Sequence, residues 1–197
     1  MTQTDVSPRA LPRLVAFDLD DTLAPSKSAM PPAMATALRR LLDVVPVCII
    51  SGGQVGQFRD QVLAHLDADA DELSRLHLMP TCGTRYYTYD PSRAQSDEDA
   101  WTLVYASQAD QGTDAWKLVY ANDLTPEQIR TGFEIVEAQA RRLGLWEERT
   151  WGEILEDRGS QITFSALGQE APLDAKRAWD PTGEKKAALR DAVASLL

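Results

Sequence analysis

The sequence predicts an α/β fold in which a parallel sheet is followed by a second, α+β domain. In the first third of the chain, continuous apolar segments alternate with amphipathic ones. That order is typical of a parallel sheet covered by helices on both faces. After Pro80 the alternation stops, and β-forming segments, polar turns and helices follow irregularly. We therefore expect a core domain over 1–82 and an α+β domain over 83–197.

The elements of the core domain follow from local patterns. Apolar runs of strand length are bounded by turn residues, and apolar side chains recur at helical spacing between them. The predicted order is a strand over 13–19, a helix opened by Pro31-Pro32, a strand over 46–50, a helix over 55–66 and a strand over 76–79.

The second domain begins with a β-rich segment and contains a local repeat. Two near-copies, 99–106 and 114–121, each alternate like a half-buried strand. Thr125-Pro126-Glu127-Gln128 is a capping box with proline at the first helical position. Its helix is predicted to end near Gly144. Two further β-like segments, over 151–155 and 161–167, precede a last helix over 183–197.

Composition excludes several classes of partner. The 197 residues carry a formal net charge of −10 and are 44% apolar. Such a surface disfavours nucleic acids and acidic membranes, which require a basic patch. Apolar runs are too short to span a bilayer, and two cysteines, Cys48 and Cys82, do not suggest a disulfide scaffold. We expect a soluble, cytoplasmic protein.

The most informative segment is the acidic end of the first strand, Asp18-Leu19-Asp20-Asp21. Strand side chains alternate between faces, so Asp18 and Asp20 should point the same way. Two neighbouring carboxylates repel each other unless a cation or a proton-transfer task uses them. A Ca²⁺-type loop or a simple turn is the alternative, but 24–27 supplies no further acidic oxygen ligands.

This arrangement fits phosphoryl transfer. Asp18 could attack phosphorus and form an aspartyl-phosphate, while Asp20 serves as general acid and base. A hard cation such as Mg²⁺ would remove the repulsion between carboxylate and phosphate. Ser51-Gly52-Gly53 ends the second parallel strand, so its hydroxyl and backbone N–H groups should lie beside Asp18 and bind phosphate oxygens. An ordinary strand-to-helix turn is the alternative for this segment.

The segment Asp18-Leu19-Asp20-Asp21-Thr22-Leu23 resembles the first signature of the haloacid dehalogenase superfamily. The resemblance implies a Rossmann-like core, a phosphohydrolase activity, Asp18 and Asp20 as catalytic residues and ligands of Mg²⁺, and Thr22, Ser51 and Gly52 as phosphate-binding residues. An insertion beginning near residue 83 resembles the class IIB cap of this superfamily.

Residues 156–168 look like the cap segment of eukaryotic-type phosphomannomutases. There an arginine at the position of Arg158 grips the sugar phosphate; a surface arginine paired with Glu156 or Asp157 is the alternative. Gln169 stands where that family has a second arginine, and Cys82-Gly83-Thr84 replaces an Asn-Gly pair.

The superfamily's later lysine and distal acidic segment are not found before Leu197. The resemblance therefore predicts a fragment of a longer enzyme, with little phosphatase activity by itself. Without the strand that carries the distal segment, the strand containing Val15 and Phe17 should form an open sheet edge.

Three functions stay open from the sequence. The first is a Mg²⁺-dependent phosphatase of a small phosphorylated metabolite, such as a sugar phosphate. The second is a phosphomannomutase-like phosphotransferase, and the third is a non-catalytic remnant that binds a ligand or partner. The oligomeric state is not predicted.

Overall fold

The computed structural model describes residues 12–93 and 115–196. The chain divides into two compact units, one extending to Ala121 and the other beginning at Asn122. This division lies after Ala121, whereas the sequence predicted a domain boundary after residue 82. The difference arises because the strands that follow residue 82 pair with the first sheet. The predicted cap over 83–197 includes parts of both units, and its extent stays a prediction.

The first unit is built on a five-stranded sheet with the strand order β1-β2-β3-β4-β5. The first three strands pair in parallel, and the last two pairings are antiparallel. The predicted α/β class is therefore confirmed. The strands are β1 Val15–Asp18, β2 Val47–Ile50, β3 Leu76–Met79, β4 Arg85–Tyr89 and β5 Trp116–Ala121.

Helices connect the strands of the first unit. They are α1 Pro32–Leu42, α2 Val55–Phe58, α3 Ala64–Leu66, α4 Ala70–Ser74 and α5 Pro80–Gly83. A π-helix, Arg59–Leu63, joins α2 to α3, so the single helix predicted over 55–66 contains a wider turn. Such turns are rare and occur frequently near functional sites.

The second unit contains a two-stranded antiparallel sheet and three helices. Its elements are α6 Pro126–Arg142, β6 Leu155–Asp157, β7 Ile162–Phe164, α7 Leu173–Trp179 and α8 Glu184–Ala194. The predicted capping box is present, since Thr125 and Gln128 bond reciprocally to each other's backbone N–H.

The cores of the two units differ in extent. In the first unit, buried apolar side chains on one face of the sheet pack with helical side chains in a continuous cluster that includes Leu19, Ile49, Phe58 and Leu78. In the second unit the buried cluster consists of Ala140, Leu145 and Leu189, with half-buried aromatic side chains around it.

Three further observations concern individual segments. Cys48 is buried, whereas Cys82 is exposed. The first near-copy, 99–106, lies outside the described residues. Across 12–93 and 115–196, none of the helices combines the length and the apolar character needed to cross a membrane.

Candidate active site

The acidic segment lies at the carboxyl end of β1. Asp18 is the last residue of this strand and is in parallel register with Ile50, the last residue of β2. Leu19 is buried, whereas Asp18 is exposed and Asp20 half-buried. Burial therefore alternates along this segment, and the common facing of the two carboxylates stays a prediction. Among the described strands β1 pairs only with β2, so it forms one edge of the sheet.

Asp20 is held by groups from two other segments. The Gln57 side chain, at the start of the helical stretch after β2, donates its Nε2 to Oδ1 at 3.2 Å and to Oδ2 at 3.0 Å. The backbone N–H of Lys27 donates to Oδ1 at 3.1 Å. Because these donors come from separate segments, they fix the orientation of the Asp20 carboxylate more strongly than one donor could.

The loop that donates to Asp20 is itself anchored by the π-helix. Gln61 lies in this π-helix and is only 4% exposed. With its amide oriented so that the oxygen faces the loop, it accepts from the N–H groups of Lys27 and Ser28, both at 2.8 Å. The backbone carbonyl of Gln61 accepts from Met30 at 2.9 Å. The loop after the acidic segment is thereby tied to the second strand–helix connection.

Ser51, Gly52 and Gly53 follow β2 directly, as predicted. Ser51 is 5% exposed, and its Oγ accepts from the Gly53 N–H at 3.3 Å. Accepting this bond leaves the hydroxyl proton as a donor. The backbone carbonyl of Ser51 accepts from Cys82 at 2.9 Å, which fixes this turn against α5. The parallel register of β1 and β2 brings the turn to the same sheet end as Asp18.

Thr22 lies in a tight turn after Asp20. The N–H groups of Thr22, Leu23 and Ala24 all donate to the carbonyl of Leu19. Asp21 adopts a left-handed backbone conformation, with φ 58°, and its Oδ1 accepts from Ser26 at 3.1 Å. Such strained residues cluster at ligand-binding sites and need surrounding contacts to persist. The Thr22 side chain is exposed.

Arg158 lies in the second unit, in the turn that joins β6 to β7. Its Nε and Nη2 both lie 2.8 Å from Oε2 of Glu156. The structure therefore contains the pairing with Glu156 that the sequence left open as an alternative. The role of Arg158 in holding a sugar phosphate stays a prediction.

The donor set can be compared with what Mg²⁺ requires. Within 12–93 and 115–196, no group of three or more His, Cys, Asp or Glu side chains is arranged to hold a metal ion. Mg²⁺ usually keeps several waters and takes only one or two carboxylates, so Asp18 and Asp20 fit it. Three hydrogen bonds already reach Asp20, which leaves about one of a carboxylate's four lone-pair positions for a cation.

Burial shifts the pKa values of three titratable groups in the neighbouring strands β2, β3 and β4. It raises the pKa of the Cys48 thiol on β2, and it lowers the pKa of the His77 imidazole on β3. His77 Nδ1 lies 2.8 Å from the Tyr86 hydroxyl, and burial raises the pKa of that phenol. Each of these shifts favours the neutral form of its group.

Sequence reasoning missed Gln57. The only signal was a polar side chain two residues into the helix that follows Gly53. Its contact with Asp20 joins segments far apart in the chain, and no local pattern encodes such a contact. Gly53 is part of the arrangement, because a Cβ there would clash with the carboxamide of Gln57.

Comparison with known proteins finds structural neighbours only. No protein-family model matches the chain, and no curated protein sequence does. Among solved structures, two of IMP-nucleotidase from Plasmodium falciparum match 92% of this chain with 12% identity, at TM-scores of 0.57 and 0.56. A mutant of that enzyme with IMP bound matches 93% at 10% identity and a TM-score of 0.50.

At these identities the likeness shows the fold alone. The fold is a Rossmann-like α/β fold, in agreement with the fold class that the sequence predicted. The chain spans 46% to 47% of the length of these neighbours. The class IIB cap and the phosphomannomutase-like branch stay predictions.

Proposed function

We propose that this protein is a Mg²⁺-dependent phosphohydrolase that acts on a small phosphorylated metabolite. The observation that carries the proposal is the parallel register of Asp18 with Ile50, which brings the acidic turn and Ser51 to one sheet end. Ligands of open α/β sheets bind at the carboxyl ends of strands. The IMP found in a structural neighbour is such a phosphorylated molecule.

In the proposed reaction, a carboxylate oxygen of Asp18 attacks phosphorus, and the bond from phosphorus to the leaving oxygen breaks. The carboxyl group of Asp20 gives its proton to that leaving oxygen. As a carboxylate, Asp20 then takes a proton from the water that attacks the aspartyl-phosphate, which releases phosphate and restores Asp18. The Ser51 hydroxyl and the backbone at Gly52, together with Thr22, hold the phosphate oxygens.

Asp18 and Asp20 would hold the Mg²⁺ ion. When bound, the cation would offset the repulsion between carboxylate and phosphate, which is about 4 kcal/mol for two unit charges 4 Å apart at an effective dielectric of 20. Asp20 is half-buried and held by fixed hydrogen-bond donors, which suits proton transfer. Asp18 is exposed and is therefore accessible to an approaching phosphate.

The test is a phosphate-release assay with sugar phosphates, nucleoside monophosphates and p-nitrophenyl phosphate. It should use the complete product of the gene, with the 197-residue chain assayed alongside. We expect release that requires Mg²⁺ and is abolished by chelation. Release that persists in Asp18→Asn, or no release from any substrate, would contradict the proposal. Transfer of phosphate within a sugar phosphate without net release would indicate the mutase instead.

A further inference from the structure

The Asp20 carboxylate is held by hydrogen-bond donors that take no direct part in the proposed reaction. Gln57 donates from a single Nε2 to both carboxylate oxygens, at 3.2 and 3.0 Å. A neutral donor that reaches both oxygens fixes the plane of the carboxylate without adding charge to the site. Lys27 completes the set with its backbone N–H at 3.1 Å.

We propose that Gln57 is a positioning residue for Asp20, holding the carboxylate in the one orientation from which it exchanges a proton with substrate. The inference rests on the proposed function, since it assigns a role within that reaction. General acids and bases work only within hydrogen-bond reach of the proton they transfer. A carboxylate free to rotate at the end of β1 would spend most of its time outside that geometry.

Gly53 provides independent support for this role. Its backbone leaves the space that the Gln57 carboxamide occupies, and a Cβ at this position would meet that carboxamide. Gly53 is itself fixed, because its N–H donates to Ser51 Oγ and its carbonyl accepts from Thr81 at 2.9 Å. The turn after β2 therefore cannot move away to admit a side chain without breaking these bonds.

The π-helix supplies the second support. Gln61, almost fully buried there, accepts from the N–H groups of Lys27 and Ser28, and the single N–H of Lys27 is shared between Gln61 and Asp20 Oδ1. Residues 57 and 61 thus act on Asp20 from two sides, one directly and one through the loop. Gln61 lies in this wide helical turn, and such turns are often retained where a site needs them.

The first experiment tests the contact without any need for turnover. In the 197-residue chain, the side-chain NH₂ signals of Gln57 are identified by NMR as those lost in Gln57→Met. We expect Asp20→Asn to shift these signals while leaving those of Gln139 in the second unit unchanged. Gln57 signals that do not respond to Asp20→Asn would overturn the proposed contact.

The second experiment tests the role. In the phosphatase assay we expect Gln57→Met to lower kcat about tenfold, corresponding to one good hydrogen bond, with KM within about twofold of the wild type. Gln57→Glu should lower kcat further, because a like charge faces Asp20. A packing role would affect these two isosteric variants equally. Gly53→Ala should reproduce Gln57→Met, and Gln139→Met is the control that leaves kcat unchanged.

The outcomes separate the two proposals. An active wild type whose kcat survives Gln57→Met, or in which only KM rises, overturns the positioning role and leaves the proposed function intact. An inactive wild type overturns the proposed function and with it the kinetic role, while the NMR result still decides the contact. Thermal unfolding of Gln57→Met close to that of the wild type excludes a loss of fold as the cause.

Discussion

The two units fix their charged side chains in different ways. In the first unit, Asp20 is held by Gln57 and Lys27, which belong to segments on either side of a strand. In the second unit, Arg158 is paired with Glu156, two residues away in the same hairpin. A long-range arrangement exists only when the whole unit folds, whereas the hairpin pair needs only its own turn. We therefore expect precise chemistry at Asp20 in the first unit, where supporting side chains hold the reactive carboxylate.

The hydrophobic cores of the two units also differ in how deeply their side chains are buried. The sheet of the first unit is covered by side chains that are fully buried, such as Phe58 and Leu78. The strands of the second unit are half-buried at their apolar positions, Leu155, Ile162 and Phe164. The larger core of the first unit gives the acidic segment a rigid support, which suits a reactive site. The smaller core of the second unit, which carries Arg158, suits an adaptable surface.

The largest effect should come from the exposed carboxylate of the first unit. We expect Asp18→Asn to reduce phosphatase activity about 10⁴-fold or more, because an amide cannot act as the nucleophile. Thermal stability should be unchanged, since this side chain is exposed at the sheet edge. Steady-state assays of the purified variant measure the loss.

The matched control is Asp21→Asn. Its amide oxygen can still accept the bond from Ser26, so the turn should persist with most of the activity. Equal losses in the two variants would mean that the negative charge of the segment matters and not the nucleophile, and the assignment of Asp18 would be wrong.

The next prediction compares the two cores with one chemical change. Leu78→Ala, at a fully buried position on β3, should lower the free energy of unfolding by about 4 kcal/mol. Leu189→Ala, at a 6% exposed position on α8, should cost about 2 kcal/mol because fewer neighbours surround it. Urea titrations followed by circular dichroism give both values, and a reversed order would refute the contrast between the units.

Local patterns predicted the parts of the fold that local physics determines. The strand ending at Ile50 follows from an apolar run, and the first strand, predicted over 13–19, ends one residue earlier, at Asp18. The alternation of Leu19 with its acidic neighbours follows from the two-residue period of a strand. The capping box at Thr125 could be predicted because its two hydrogen bonds lie within four consecutive residues.

Non-local pairing could not be predicted in the same way. β4 and β5 extend the first sheet in antiparallel order, a pairing that depends on registers between distant segments. The bond from Gln57 to Asp20 joins segments far apart in the chain and uses the space at Gly53, so no local pattern predicts it. The sequence thus named Asp20 as the candidate acid and base, but not the side chain that holds it.

A smaller effect is expected at the start of α6. Thr125→Ala removes the side-chain acceptor of the Gln128 N–H and should cost about 1 kcal/mol of stability. Thr125→Ser keeps the oxygen and serves as the control. Since this helix contributes Ala140 and Val136 to the small core of the second unit, the loss should appear in that unit's unfolding. Identical stability of the Ala and Ser variants would show that the capping box contributes nothing to the free energy of unfolding.

The smallest effect concerns pH and should come from the first unit alone, which contains both histidines of the chain, His65 and His77. Burial lowers the pKa of His77 in the folded protein, so the unfolded chain binds a proton at a higher pH than the folded one. Stability from this group is therefore full above the ordinary value of about 6.5 and falls as the pH drops from there toward the lowered pKa.

The measurement is the urea midpoint at pH 7.5 and pH 5.5, a window chosen about one unit either side of that ordinary value. His77→Asn retains an acceptor near the Nδ1 position that faces Tyr86, and it should reduce the fall in stability between the two pH values. His65→Asn, at an exposed helix position, should leave the fall unchanged. If His77→Asn and the wild type lose equal stability, carboxylates and not the buried imidazole govern the acid sensitivity of the first unit.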